Sequence, residues 1–317
     1  MRKTVLVTGA GGFIGGETML RLKDQGHTVI GVDTVVCPKN LGSVADRFYQ
    51  EDFSNPYALD LLHQFTPEAV VHCAGSSLVG PSLGRPADYY NNNFVKTKKL
   101  LDFIVDNKIN TRVIFSSSAA CYGEPVINPC SEVDPCEPIS PYGQSKLMVE
   151  WMLQSYKHAY NLDFVALRYF NACGADSQAR HGQKSGATHI IARVLEAIRD
   201  NKEFILNGDD YDTPDGTCVR DYVHVEDIAD AHVAAMNKDI PADTYNLGTK
   251  QGISNREVIA MAQQVTGKTV TVSVGSRRLG DPAMLTASSD RWQTVSGTRP
   301  RFTLNDMVAH AWNWYNQ

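Results

Sequence analysis

The sequence predicts an α/β protein built on a doubly wound parallel sheet, followed by a smaller C-terminal part. Short apolar segments that suit buried strands alternate with segments of helical periodicity up to about residue 170. A glycine-rich turn follows the first strand, and a carboxylate ends the second strand about 20 residues later. With 317 residues, the chain is long enough for one large or two modest domains with a sizeable core.

Composition excludes several classes of function. Asp and Glu outnumber Lys and Arg, which gives a formal net charge of −5 and no broad basic surface for nucleic acid. No apolar run approaches the roughly 20 residues that a helix needs to cross a bilayer. The first strand begins at Thr4 without a secretory signal, and the seven cysteines lack CxxC spacing. We therefore predict a cytoplasmic protein with reduced thiols, no metal site and no membrane or nucleic-acid partner.

The first strand, residues 4–8, leads into a GxxGxxG motif and then into a helical pattern. Glycines allow a tight turn and let a pyrophosphate approach the helix N-terminus, where free N–H groups favour anions. The second strand, residues 28–32, ends at Asp33, whose carboxylate suits the two ribose hydroxyls of adenosine and repels a 2′-phosphate. The pattern predicts NAD on a Rossmann-type sheet. The predicted cofactor contacts in the turn are Gly9, Gly12, Phe13, Ile14 and Gly15.

Two further strands are predicted to end beside the cofactor. The segment 47–49 precedes Asp52 and Phe53, which are placed to bracket an adenine ring. The buried strand 69–73 ends in small residues, which let a cofactor lie close to the carboxyl end of a parallel sheet. The predicted contacts there are Ala74 and Gly75.

A helix is predicted from about Tyr90 to Asn107, because apolar residues recur along one side of that segment. Its polar start contains Asn93, for which we keep two roles open, contact with the cofactor and helix capping. His72, in the preceding strand, is predicted to pack within the sheet rather than to act in catalysis.

The most informative stretch runs from Ser116 to Lys146. A strand ends in three serines, and after a proline-rich loop Ser140 and Pro141 predict the start of a helix. Tyr142 and Lys146 are four residues apart, so they lie on one face of that helix. A free tyrosine, with a pKa of roughly 10, is a poor base at neutral pH. A neighbouring ammonium favours the phenolate, so the pair predicts an acid/base centre.

Together, the glycine motif, Asp33, Asp52, the serine run and the YxxxK helix resemble an extended short-chain dehydrogenase/reductase. Over nearly its whole length the chain resembles more closely the UDP-glucose (UDP-galactose) 4-epimerase family. The resemblance implies that Tyr142 is the acid/base and that Lys146 holds the nicotinamide ribose and tunes the tyrosine. It also implies that Ser118 hydrogen-bonds the reacting hydroxyl, and we count Ser116 among the cofactor contacts.

The residues after Ser118 exclude neighbouring activities. The nucleotide-sugar 4,6-dehydratases, which the chain also resembles, place Asp-Glu directly after the active-site hydroxyl residue. Elimination of water needs a general acid and a general base there, whereas this chain has Ala119 and Ala120. The remaining chemistry is oxidation and re-reduction of one carbon.

The second half supplies the residues that the resemblance assigns to the substrate. After strand 164–168, Tyr169 is expected beside the nicotinamide, and the helix that opens near residue 187 offers its N-terminus to a phosphate. Arg220 and Arg278 are assigned to the diphosphate and Asp281 to the uridine ribose. The other predicted substrate contacts are Asn171, His189, Ile190, Asn207 and Leu285.

Leu285 bears on specificity, because it aligns with a bulky tyrosine in strict glucose/galactose epimerases. The smaller side chain leaves room for a 2-acetamido group, so we expect some turnover of UDP-N-acetylglucosamine. The role of the basic loop at residues 180–184 is left open.

The resulting interpretation has an NAD-binding Rossmann domain at residues 1–170. Residues 171–317 form mainly a UDP-sugar-binding domain, with segments that return to the first. The expected activity is NAD-dependent interconversion of UDP-glucose and UDP-galactose through a 4-keto intermediate, and the resemblance implies a homodimer. Three alternatives remain open: a 4-epimerase of a UDP-pentose or UDP-uronic acid, a net NAD-dependent nucleotide-sugar dehydrogenase or reductase, and an NAD-sensing binding protein.

Overall fold

The computed structural model describes residues 2–278 and 280–317. Its centre, within that part of the chain, is a parallel sheet of seven strands in the order β11-β6-β5-β4-β1-β2-β3. The predicted doubly wound sheet is thereby confirmed. The strands are β1 (Thr4–Thr8), β2 (Thr28–Asp33), β3 (Arg47–Gln50), β4 (Ala69–His72), β5 (Arg112–Ser118), β6 (Phe164–Tyr169) and β11 (Asp243–Leu247).

Helices cover both faces of this sheet. Side chains of β1 alternate between the faces, so that Val5 and Val7 belong to one core cluster and Leu6 to another. The first cluster includes α1 (Phe13–Asp24) and α8 (Val225–Ala234). The second includes α2 (Pro56–Phe65), α5 (Lys96–Asp106) and α6 (Pro141–Tyr160).

The segment 90–106 is helical, as predicted, but its start is not a regular α-helix. The helices α3 (Val79–Gly84) and α4 (Pro86–Tyr89) precede a π-helical turn at Tyr90–Val95, and only then does α5 begin. Asn93 lies inside the π turn, and the chain is already helical before it, so Asn93 is not a helix cap. Wider turns of this kind often occur at functional sites, because they re-aim side chains.

The remaining elements pack mostly against the C-terminal half. Helices α7 (Ile190–Arg199), α9 (Asn255–Thr266) and α11 (Leu304–Tyr315) share a core with β8, while α10 (Asp290–Ser296) contributes Trp292 to the core of the main sheet. Small sheets pair β7 with β10, β8 with β13, and β12 with β9 and β14. The strands are β7 (Asn171–Cys173), β8 (Phe204–Asn207), β9 (Val219–Arg220), β10 (Tyr222–His224), β12 (Ile253–Ser254), β13 (Val272–Gly275) and β14 (Met284–Leu285).

The chain returns to the main sheet late in the sequence. Strand β11 pairs in parallel with β6, beginning with Asp243 opposite Val165. The cysteines of the described chain are free thiols. No helix within residues 2–278 and 280–317 has the length and apolar character that crossing a membrane requires.

Candidate active site

A cavity of about 840 Å³ opens where β1, β4, β5 and β6 end. Clefts at the carboxyl ends of parallel strands are the usual ligand sites of open α/β sheets. The N-terminal half contributes the glycine turn and the YxxxK helix to its wall. The C-terminal half contributes a set of polar and basic side chains. The two halves of the chain therefore enclose one site.

The glycine turn forms a cradle that side chains would fill. Gly9 has a φ of +69°, and a Cβ there would lie 2.6 Å from the backbone nitrogen of Ala74. A Cβ on Gly15 would overlap the carbonyl of Gly9. Helix α1 begins directly after Gly12 without a side-chain cap, so its first N–H groups remain available to an anion. This cradle fits the pyrophosphate of a dinucleotide.

Two carboxylates stand where the adenosine end of a dinucleotide is predicted to lie. Backbone amides hold Asp33: Gly11 N–H donates to Oδ2 at 2.9 Å and Val35 N–H to Oδ1 at 3.2 Å. Asp52 forms an ion pair with Lys96, with 2.7 Å between Oδ2 and Nζ. Burial acts to raise the pKa of Asp52, but its bonds with Lys96 and Ser54 outweigh burial and lower it. Lys96 lines the cavity and was missed in the sequence, where it looks like any surface lysine of an amphipathic helix.

Asn93 is a predicted cofactor contact that does not lie on the cavity wall. The side chain is 2% exposed, accepts a bond from Ser76 N at 2.7 Å and donates one to Ser76 O at 2.9 Å. Asn93 therefore holds the loop after β4 through the backbone of Ser76. Asn92, and not Asn93, lines the cavity. Both asparagines lie in the π turn, whose geometry differs from that of the predicted regular helix.

The predicted acid/base residues lie together. The side chain of Ser140 accepts a bond from Gly143 N at 3.2 Å, which caps α6 as the sequence predicts. Tyr142 and Lys146 then project from one face of α6 into the cavity, and Ser118 reaches it from the end of β5. Lys146 donates a bond of 2.8 Å to the carbonyl oxygen of Ser116.

Burial dominates the acidity of Tyr142, contrary to the expectation that Lys146 favours its phenolate. Burial raises the pKa of Tyr142 to about 12, although a hydrogen bond with Ser118 acts to lower it. Burial also lowers the pKa of Lys146 to about 8. The ammonium lies 6.0 Å from the centre of the Tyr142 ring, so the loss of hydration outweighs its attraction for a phenolate. A further positive charge in the cavity would lower the pKa of Tyr142.

At the other end of the cavity, two residues predicted to bind different parts of the substrate are paired with each other. Arg220 is 7% exposed and donates a bond of 2.7 Å to Asp281. The pairing leaves part of the guanidinium and one carboxylate oxygen for other partners. The other predicted substrate residues that line the cavity are Asn171, His189, Ile190, Asn207, Arg278 and Leu285.

Arg193 also lines this end and was missed in the sequence. It follows the N-terminus of α7 by one turn, and its guanidinium lies 5.2 Å from the centre of the Phe204 ring. Burial and Arg278 lower the pKa of His189, so that histidine is neutral near pH 7. Because several arginines and a neutral histidine line this end of the cavity, it suits an anionic group such as a diphosphate.

The remaining predicted residues lie on the wall of the same cavity. Those of the cofactor end are Gly9, Gly12, Phe13, Ile14, Gly15, Asp33, Asp52, Phe53, Ala74, Gly75, Ser116 and Tyr169. His72, predicted to be structural, is buried between Thr8 and Thr97, which hydrogen-bond its two ring nitrogens at 2.7 and 2.8 Å.

The fold and the cavity are those of a dinucleotide-binding enzyme built on a Rossmann-type parallel sheet. Residues 5–248 match the model of the NAD dependent epimerase/dehydratase family, and the chain belongs to that family. A UDP-glucose 4-epimerase of Halalkalibacterium halodurans is 42% identical over 323 residues, which cover 99% of this chain and 96% of that protein. The predicted family is thereby confirmed.

Solved structures of related proteins are similar to this chain over nearly its whole length. A UDP-glucose 4-epimerase from Stenotrophomonas maltophila, with bound NAD and formylated UDP-arabinopyranose, is 33% identical with a TM-score of 0.94 and covers 99% of this chain and 98% of its own. The UDP-glucose 4-epimerase from Brucella ovis in complex with NAD is 39% identical with a TM-score of 0.90 and covers 98% of both chains.

Proposed function

We propose that this chain is an NAD-dependent UDP-glucose 4-epimerase that interconverts UDP-glucose and UDP-galactose through a 4-keto intermediate. The observation that carries the proposal is a single cavity with a glycine cradle at one end, the pair Tyr142 and Lys146 in the middle and arginines at the other end. That order matches a dinucleotide, a reacting sugar carbon and a diphosphate.

When bound, NAD supplies a group that accepts a hydride from C4 of the sugar and returns it. Tyr142 takes the proton of the 4-hydroxyl and gives it back, while Ser118 orients that hydroxyl by hydrogen bonding. Lys146 is held by the Ser116 carbonyl and adds positive charge beside the reacting group. Because α6 presents both side chains on one face, their relative position is fixed by the helix.

Anchoring at the diphosphate lets the sugar present either face to the cofactor. Arg220 and Arg278 supply charge for the diphosphate, and Asn171 lies on the same wall. Ala119 and Ala120, also on the wall, have no group that transfers protons. The site therefore supports oxidation and re-reduction of one carbon without elimination of water.

The first test is incubation of the purified protein with UDP-galactose, followed by identification of the product and measurement of NADH. An epimerase forms UDP-glucose without net NADH. Stoichiometric NADH would favour the rival activity, a net nucleotide-sugar dehydrogenase. A panel that includes a UDP-pentose and a UDP-uronic acid distinguishes the epimerases of other sugars.

We extend the proposal to UDP-N-acetylglucosamine. Leu285 is 9% exposed and lines the cavity, so a larger side chain at this position would reduce the space beside the sugar. The extension predicts conversion of UDP-N-acetylglucosamine to UDP-N-acetylgalactosamine, measured by product identification. Absence of that product under conditions that convert UDP-galactose would contradict the extension and leave the main proposal intact.

We also propose that the protein is a cytoplasmic homodimer whose subunits meet through α6 and the helical segment 91–107. Trp151 on α6 is 61% exposed, and Val95 in the neighbouring turn is 42% exposed. Exposed large apolar side chains on adjacent elements favour association. Light scattering after gel filtration measures the mass, and a dimer that Trp151→Glu converts to a monomer supports the interface. A monomeric parent protein would contradict it.

A further inference from the structure

Three carboxyl groups from distant parts of the chain meet outside the cavity. Glu17 lies on α1, Asp176 follows β7, and Glu226 lies at the start of α8. One oxygen from each lies within 4.8 Å of the others. The three residues are 0%, 1% and 3% exposed, so water does not compensate their charges.

Glu17 is the unusual member of the cluster. Both of its carboxylate oxygens are buried and have no hydrogen-bond partner among the described residues. Asp176 accepts bonds from Arg180, and Glu226 accepts a bond from the backbone of Ser177. A buried carboxyl group without a partner is strongly disfavoured, so Glu17 needs a proton or a cation in this position.

The arginines around the cluster are shared with other carboxylates. Arg180 pairs with Asp24 as well as with Asp176. Arg21 pairs closely with Asp230 and lies 3.9 Å from Glu226. Arg301 bonds Asp227 and Asp230 and lies 3.8 Å from Glu226. The carboxyl groups of this region outnumber its guanidinium groups, and negative charge remains around Glu17.

The burial of Glu17 and the nearby carboxyl groups of Asp176 and Glu226 disfavour an uncompensated negative charge on Glu17. The environment thus favours any positive charge that can reach the carboxyl group. A proton satisfies only one of its oxygens, whereas a metal ion can satisfy oxygens of all three residues at once.

We propose that Glu17, Asp176 and Glu226 bind a hard divalent cation, with Ca²⁺ the best fit. Ca²⁺ takes carboxylate oxygens at about 2.3–2.6 Å in flexible geometry, so two of its ligands lie up to about 5 Å apart. The oxygen separations within the cluster satisfy that limit. This proposal differs from the prediction of no metal site. The sequence does not indicate the site, because Glu17 lies more than 150 residues before the other two ligands.

The cation would connect the dinucleotide-binding helix to the C-terminal half. Glu17 is two residues beyond Gly15 in α1, and Asp176 and Glu226 belong to segments that follow β7 and β10. None of the three lines the cavity. The ion therefore stabilises the position of α1 without taking part in the reaction, and the inference does not depend on the proposed function.

The test uses the full-length protein, treated with chelator, in buffer without nucleotide sugar. Calorimetry with CaCl2 measures binding stoichiometry, and Tm is measured with CaCl2, MgCl2 and MnCl2 at constant ionic strength. We expect about one Ca²⁺ per chain and a rise in Tm of roughly 5 °C at a concentration of about 100 times Kd.

Glu17→Gln keeps the shape of the side chain and removes its charge. We expect this variant to fold and to lose the rise in Tm with CaCl2. Glu203→Gln, at an exposed position, is the matched control and should keep it. The proposal is overturned if none of the three salts binds the parent protein or changes its Tm. It is also overturned if Glu17→Gln responds to CaCl2 as the parent does, since Glu17 then carries a proton instead.

Discussion

The ammonium of Lys146 donates a hydrogen bond of 2.8 Å to the carbonyl oxygen of Ser116. This contact joins the first turns of α6 to the end of β5, and both elements carry proposed catalytic residues. It holds the charge of Lys146 6.0 Å from the centre of the Tyr142 ring. The position of the lysine is thus fixed by the protein, and the acidity of the tyrosine depends on what else occupies the cavity.

Tyr142→Phe removes the proposed proton carrier with little change in volume. We expect kcat to fall by at least about 100-fold, because general acid/base catalysis contributes on that scale. NAD content should be unchanged, as measured by release on denaturation. Tyr90→Phe, which removes a hydroxyl bonded to Gln144 outside the cavity, is the matched control. Near-normal turnover by Tyr142→Phe would refute the assignment.

Lys146→Met tests the buried charge through its pH dependence. The pKa of Lys146 is lowered by burial from 10.5 to about 8, so the folded protein binds fewer protons than the unfolded chain between those values. The resulting destabilisation of the parent protein is full below about pH 8 and disappears as the pH rises toward 10.5.

In cofactor-depleted protein, the stability of Lys146→Met relative to the parent should therefore decline by about 3 kcal/mol over that range. Denaturant unfolding at a series of pH values measures the trend. A relative stability that stays constant, or that increases with pH, would contradict the assigned burial of the charge.

Arg278→Ala should raise the KM for UDP-galactose by about 10- to 100-fold, because charge-assisted bonds to a diphosphate are worth about 1.5–3 kcal/mol. Its sequence neighbour provides the control. Arg277 pairs with Asp210 at 2.6 Å and does not line the cavity. Arg277→Ala should leave KM nearly unchanged, and equal effects of the two substitutions would argue against a diphosphate contact at Arg278.

Leu285→Tyr should lower the ratio of kcat/KM for UDP-N-acetylglucosamine to that for UDP-galactose, because the larger ring takes up the space available to the acetamido group. Adjacent residues of a strand point to opposite faces, and Met284 does not line the cavity. Met284→Tyr is therefore the matched control. The measurement is initial rates with both substrates, and an unchanged ratio in Leu285→Tyr would contradict the prediction.

Local features of the site could be predicted from the sequence because short-range rules determine them. The cap at Ser140 and the common face of Tyr142 and Lys146 follow from helix geometry. The glycine turn follows from the strand before it and the helix after it. These predictions depend on residues that lie within one or two turns of each other.

The remaining features depend on contacts between distant segments. Asn93 lies in a π turn that periodicity does not reveal, and it bonds the backbone of Ser76 instead of lining the cavity. Arg220 lies on β9 and Asp281 just before β14, and the pairing of these two strands brings the side chains together. The pKa of Tyr142 depends on burial by residues from several strands and helices, and a pattern four residues long cannot give that quantity.

In the proposed reaction, one hydrogen leaves C4 of the sugar as a hydride and returns to the same carbon without exchange with water. The most direct measurement uses UDP-galactose that carries deuterium at C4, incubated with the enzyme in ordinary water, and mass spectrometry of the UDP-glucose formed. We predict that the product keeps the deuterium at C4 and that no net NADH appears. Loss of the deuterium to solvent would contradict the account.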